Sequence, residues 1–132
     1  MLVTEKNVSI IKIRRVMEKI KIGYEIEVTL HMIGGKWKGL ILYHLIENGS
    51  ERFNALHRFI GKTSPRTLTN QLRELEKDGL INRQVFAEVP PRVEYSATEK
   101  GKSLYKILEL MCEWGYENKD ERFEILNPQC KD

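Results

Sequence analysis

Ser64-Pro65-Arg66-Thr67-Leu68-Thr69-Asn70-Gln71-Leu72-Arg73-Glu74-Leu75-Glu76-Lys77-Asp78-Gly79 writes both ends and both faces of one helix. Ser64 is placed to cap its start, the side-chain oxygen taking up a free backbone N–H, and Pro65 suits the first helical position, where no hydrogen bond is lost. Gly79 supplies the stop. Leu68, Leu72 and Leu75 recur at steps of four and three and line one side. At about 100° per residue, Arg66, Asn70, Arg73 and Lys77 point away from that stripe, with Thr69 at their flank. An apolar side that seats the helix and an opposite side of arginine, asparagine and threonine suit a helix that touches DNA. The same periodicity also suits an ordinary surface helix, so the neighbouring segments decide.

Downstream, Leu80, Ile81 and Val85 open a β-prone run, Pro90 and Pro91 interrupt it, and Val93, Glu94, Tyr95 and Ser96 resume it, which predicts a hairpin with a rigid tip. Arg83 falls in the first strand and Arg92 just past the proline pair. A basic hairpin beside a polar helix outlines a winged helix-turn-helix, whose wing reaches the DNA backbone or minor groove. Upstream, Phe53, Leu56, Phe59 and Ile60 space out a helix capped by Ser50 or Asn54 and closed by Gly61. That leaves a turn of about three or four residues before Ser64, as a helix-turn-helix demands. Trp37, Leu40, Ile41, His44 and Leu45 mark the preceding helix, stopping near Asn48 and Gly49, and Ile26, Leu30 and Ile33 a shorter one ending at Gly34 and Gly35. Thr98 is placed to cap a long last helix with Leu104, Leu108, Met111 and Trp114 or Gly115 on one side.

At the N-terminus, Ile10, Ile13, Met17 and Ile20 form an apolar stripe amid Lys12, Arg14, Arg15, Lys19 and Lys21. The stripe lacks the Trp, Phe and Leu that anchor a helix on a membrane surface, so a partner helix suits it better. Apolar stripes at both ends of a small reading core predict a twofold homodimer. Its reading helices would face half-sites about 34 Å apart, hence double-stranded DNA with an inverted-repeat operator. The expected fold is mainly α with a small β-hairpin wing. Its parts are an N-terminal dimerisation helix over 1–22, a winged helix-turn-helix core over 23–97, a C-terminal dimerisation helix over 98–118 and an acidic tail over 119–132. Pro128 and the polar composition predict fraying or disorder in that tail.

A chain of 132 residues suits one domain, and 41% hydrophobic content a modest core. The formal charge of +3 is unevenly spread: Glu109 to Asp132 is net −4, so residues 1–108 carry +7. The positive charge that phosphate requires therefore sits with the motifs. No apolar run approaches the ~20 residues that span a bilayer and no secretion signal opens the chain, so a cytoplasmic protein without a membrane partner is expected. Cys112 and Cys130 form no metal-type spacing. Cys112 is expected as a small core residue and Cys130 as exposed in a loose tail, with an inter-subunit or tail disulfide that alters DNA affinity as the redox hypothesis they leave. His31, His44 and His57 are scattered, and neither metal nor other cofactor is expected. No glycine-rich phosphate loop, paired carboxylates or nucleophile with a base points to an enzyme.

Arg66 lies in the first turn of the reading helix, where a guanidinium can grip guanine O6 and N7 together. Asn70, one turn on, suits adenine or a phosphate, and Thr67 and Thr69 a thymine methyl. Lys62 and Ser64, beside the backbone N–H groups at the helix start, suit phosphate, as does Arg73 further along. Arg92, beside the rigid tip, is expected to reach DNA; Lys36, after two glycines, reaches a phosphate or only solvent. A small-molecule effector could occupy a pocket near Tyr24, Trp37 and Trp114. The competing function is a winged-helix protein-interaction module without specific DNA binding. Such a face would carry aromatic or aliphatic anchors, which the reading helix lacks.

Four stretches carry a resemblance over about Tyr24 to Tyr116: Ile33-Gly34-Gly35-Lys36-Trp37, Arg52-Phe53-Asn54-Ala55-Leu56, Leu68 through Leu80, and Glu88-Val89-Pro90-Pro91-Arg92-Val93-Glu94-Tyr95. On them, with Cys112-Glu113-Trp114-Gly115, the chain resembles the HxlR family of bacterial and archaeal transcription regulators. The resemblance implies a dimeric winged helix that binds palindromic operators and represses, or sometimes activates, neighbouring genes. Several members of that family sense quinones, aldehydes or oxidants through a cysteine just before the helix leading into the Gly-Gly-Lys-Trp motif. Tyr24 stands at that position here, and a phenol is neither a comparable nucleophile nor able to form a disulfide.

Overall fold

The computed structural model describes residues 18–130, which divide into two compact units between His31 and Met32. The stripe of Ile10, Ile13 and Met17 lies outside the described residues; of the helix expected over 1–22, residues 18–22, including Ile20, are irregular backbone. The chain enters α1 (Glu25–Ile33), the helix expected around Ile26, Leu30 and Ile33, in the first unit, and its last two residues, Met32 and Ile33, belong to the second. Tyr24 stands just before α1 and donates its backbone N–H to Glu27 Oε2 at 2.7 Å. The carboxylate thus satisfies a donor that the start of a helix leaves unpaired.

The second unit is built on α2 (Lys38–Asn48), α3 (Phe53–Ile60) and α4 (Pro65–Lys77). Each contributes an apolar stripe: Ile41, Leu42 and Leu45; Leu56 and Ile60; Leu68, Leu72 and Leu75, all buried. Burying a leucine- or isoleucine-sized side chain is worth about 1.5–3 kcal/mol, so the three stripes hold the reading helix to its support. Three antiparallel strands complete the unit, β1 (Glu51–Arg52), β2 (Ile81–Phe86) and β3 (Arg92–Ala97), in the order β1-β3-β2. The hairpin is the expected one, with Arg83 opposite Tyr95 and Phe86 opposite Arg92.

β1 has too few residues to show an alternation, and no expectation covered it. Glu51 pairs with Tyr95 and Arg52 with Glu94, which lays the chain along β3 directly before α3. This corrects the cap assigned to α3. Neither Ser50 nor Asn54 occupies it: Arg52, extended at φ −81° and ψ 159°, holds the N-cap position without a side-chain cap. The strand pairing decides where the chain turns into the helix.

The last helix is also corrected, because it is two helices. Thr98 does cap, accepting from the Gly101 N–H at 2.9 Å, but the helix it opens is the short α5 (Glu99–Lys102); α6 (Tyr105–Asn118) follows. Between them the Ser103 hydroxyl donates to the Lys100 carbonyl, and Leu104 N–H bonds to Gly101 O at 3.1 Å, a three-residue step that tightens the turn. Leu108 on α6 is buried in the core, whereas Ile107, Leu110, Met111 and Trp114 are exposed.

Beyond α6, residues 119–130 form neither helix nor strand. Cys112 on α6 is paired with Cys130, with Cα atoms 5.9 Å apart, and both are partly buried. This corrects the expectation of a core thiol and a separate exposed one. Arg122 folds its guanidinium onto Asp120 at 2.7 Å, which holds that carboxyl below the usual carboxylate range. Tyr105 O–H donates to Glu47 Oε1 at 2.6 Å, tying α6 to α2, and that bond, with the Glu109 carboxylate nearby, raises its ionisation above that of an ordinary tyrosine.

Candidate nucleic-acid interface

The turn between α3 and α4 is fastened before the reading helix begins. Gly61 takes the left-handed φ of 74° that lets its N–H bond to His57 O at 2.9 Å. His57 Nε2 then lies 2.8 Å from the carbonyl of Thr63. A carbonyl only accepts, so Nε2 carries the proton and the ring pins the turn.

Ser64 caps α4 as its sequence predicts: Oγ accepts the Thr67 N–H at 3.1 Å and lies 3.0 Å from Thr67 Oγ1. At the other end Gly79, at φ 76°, lets the Leu80 N–H reach Leu75 O at 2.9 Å while its own N–H reaches Glu76 O at 3.0 Å. These paired bonds form a Schellman closure, and its usual apolar contact is supplied by Leu75 and Leu80, both buried. With three leucines buried and both ends satisfied, the exposed face of α4 is fixed.

That face carries Arg66, Asn70, Arg73 and Lys77, all exposed, with exposed Lys62 in the turn leading to them. Thr67 is exposed, and Thr69 is partly buried with its hydroxyl donating to Pro65 O at 2.8 Å. The Thr67 hydroxyl, which accepts from Ser64 Oγ, keeps its proton to donate, whereas that of Thr69 is committed as a donor; the methyl groups of both are open to a base. Ser64 uses its oxygen on the cap, so its share in phosphate binding falls to the backbone N–H groups beside it.

Lys38 was not singled out in the sequence. Its Nζ lies 2.6 Å from Glu74 Oε2, with only 12% of the lysine side chain accessible. The pair ties the start of α2 to the middle of α4 and fixes the attitude of the reading helix. No local pattern marks it, because the partners are far apart in sequence. Lys36, two residues earlier, is exposed, with Nζ 4.9 Å from the Trp37 ring centroid.

The wing differs from the expectation of a free Arg92. Its guanidinium carbon lies 4.0 Å from the Phe86 ring centroid; Nη2 lies 3.4 Å from Glu88 Oε1 and Nε 3.1 Å from Glu94 Oε2. The Nε proton is not aligned on that carboxylate, so the contact is an ion pair without a hydrogen bond. Arg92 is thus folded down on the hairpin, bracketed by two carboxylates. Arg83, on β2, is exposed. Cys112 and Cys130 belong to α6 and the tail, not to α4 or the hairpin.

With this geometry in place, known proteins supply the comparison. The model of the HxlR-like helix-turn-helix family matches residues 32–123. The HTH-type transcriptional regulator YdeP of Bacillus subtilis is 52% identical over 98 residues, covering 74% of this chain and 76% of YdeP. An HTH-type regulator of Methanothermobacter thermautotrophicus is 57% identical over 90 residues, 68% of each chain. Among solved structures, the redox regulator HypR in its oxidized form superposes with a TM-score of 0.70 at 50% identity, covering 74% of this chain and 99% of that one. The HTH-type regulator YtcD superposes with a TM-score of 0.68 at 47% identity, covering 72% and 96% respectively.

Proposed function

The chain belongs to the HxlR family of helix-turn-helix transcriptional regulators, and from that premise we infer that it acts as a twofold homodimer on an inverted-repeat operator and represses transcription. It is a DNA-binding regulator by family. The dimer, the operator symmetry, the sign of regulation, a cytoplasmic location and the lack of an enzymatic role are our reading. The observation that carries it is the exposed face of α4, where Arg66, Asn70 and Arg73 stand on a helix held at both ends. Arg66 is assigned to a guanine edge, Asn70 to the next base, Lys62 and Arg73 to phosphates, and the methyls of Thr67 and Thr69 to thymine. Exposed Ile107 and Leu110 on α6, outside the cavity described below, support the dimer, since a second copy would cover them. A small-molecule effector completes the reading.

Selection of bound sequences from random duplexes tests it. An inverted repeat with half-sites about 34 Å apart is the expected product. If each subunit neutralises about four phosphates, log affinity falls with log salt at a slope near −7 for the dimer. A flat salt response, or selected sequences without symmetry, would favour a protein-interaction module.

A further inference from the structure

Between the start of α2, α6 and the returning tail lies a cavity of about 550 Å³. Ile33 and Leu108, both buried, close its floor; Leu40 and Tyr43 line one side, and Phe123 and Ile125 the tail side. Met111 and Trp114, each more than half exposed, stand at its mouth. Trp37 takes no part in the lining. The size falls within the ordinary range of small-molecule sites, and the lining is mostly apolar, as such sites are.

Charge on the wall is selective. The segment from Glu109 to Asp132 contains seven acidic residues, yet none lines the cavity, whose charged side chains are Lys36 and Lys119. Lys119 donates to Tyr116 O at 3.2 Å and Lys36 rests against Trp37; among the described residues neither is ion-paired with a carboxylate. Glycine keeps the wall open. A Cβ at Gly115, within α6, would meet nothing within 4 Å, although glycine is a poor helix former. The Cys112–Cys130 pairing holds the tail in place as the remaining wall.

We propose that this cavity is the effector site, an inference that rests on the regulatory reading above, and that it takes a small aromatic carboxylate. The ring system lies among Tyr43, Trp114 and Phe123, and the carboxylate faces Lys36 and Lys119. The tail is the lid, and the cysteine pair keeps it closed over the ligand.

Calorimetric titration of the full chain with 2-naphthoate and 2-naphthamide, without DNA, tests the site. Naphthoate is expected to bind with a Kd of about 100 μM or tighter, and the neutral amide at least ~10-fold more weakly. Gly115→Leu should weaken naphthoate at least ~10-fold, and Lys36→Gln with Lys119→Gln should bring acid and amide to similar affinity. In the unmutated chain, naphthoate should shift the methyl resonances of Leu108 and Ile125 through its ring current, which needs no variant to fold. Absence of binding, equal affinity for acid and amide, or shifts confined to other residues overturns the site. Naphthoate binding that leaves operator affinity unchanged overturns its effector role, whereas an asymmetric selected operator overturns the regulatory reading and leaves the binding measurement standing.

Discussion

Two substitutions at Ser64 separate the folding of the reading helix from its use. Ser64 Oγ accepts the Thr67 N–H at 3.1 Å, so Ser64→Ala leaves one of the first-turn donors unpaired. Loss of such a cap costs ~1 kcal/mol, within a range of about 0.5–2. For a domain of this size that corresponds to a melting temperature lower by about 3–6 °C. Ser64→Asp keeps an oxygen at the same place and adds a negative charge at the positive end of the helix, which is worth about 0.3–1 kcal/mol in favour of folding. Stability of the aspartate variant should therefore match or exceed the parent. Its DNA binding should not. A carboxylate ~5 Å from a phosphate charge is repelled by ~1 kcal/mol at the dielectric of water and ~3 kcal/mol at an effective value of 20, so affinity should drop ~5- to ~150-fold per half-site. Thermal melts by circular dichroism and operator titrations by fluorescence anisotropy give the two quantities. If Ser64→Asp melts like Ser64→Ala, the cap is misassigned; if it is stable and binds the operator as tightly as the parent, the start of α4 does not face phosphate.

Three other outcomes follow from single positions. Arg66→Ala should cost ~1–3 kcal/mol on the operator and relax one base position in competitive binding, and an equal loss on random DNA would make Arg66 a backbone contact. Gly101→Ala would put a Cβ 2.1 Å from Leu80 O and 3.1 Å from Leu42 Cδ1, so it should destabilise by ~3 kcal/mol or more despite the better helix propensity of alanine. A melting temperature within about 3 °C of the parent would show that α5 does not pack so closely on the wing root. Tyr105 has its ionisation raised by its hydrogen bond to Glu47 and by the Glu109 carboxylate, so any stability it adds is complete below the ordinary tyrosine range and is lost as pH climbs through the raised value. Absorbance at phenolate wavelengths should show a late-ionising step, to which Tyr43 also contributes, and Tyr105→Phe should remove its share of that step; a loss of amplitude in the ordinary tyrosine range instead would contradict the bond to Glu47.

What could be read from sequence divides along the length of the interactions involved. The start and stop of α4 were legible because caps, proline at the first position and a closing glycine act within a few residues of the helix they bound. The same holds for the leucine stripe and for the hairpin interrupted at Pro90 and Pro91. Thr98 caps a helix as its position predicts, yet that helix breaks after Lys102, where the hydroxyl of Ser103 competes for a backbone carbonyl. β1 escaped because Glu51 and Arg52 become a strand by lying beside Tyr95 and Glu94, more than forty residues on. Lys38 is likewise a solvated lysine in sequence and a strut against Glu74 in space.

Arg92 shows where local inference reaches its limit at the site itself. A basic residue after a rigid tip suggests an arm extended toward DNA, but the hairpin register sets Phe86 opposite Arg92 and brings Glu88 and Glu94 within reach of the same guanidinium. Two nearby carboxylates offset much of the charge that a phosphate would attract. Contact with DNA through Arg92 would require it to leave both and the Phe86 ring together. Arg83 faces no such cost, because it projects from β2 with its side chain exposed. The basic character of the wing is thus carried by position 83 in the strand more than by position 92 at the tip, and charge counted along the sequence does not distinguish the two.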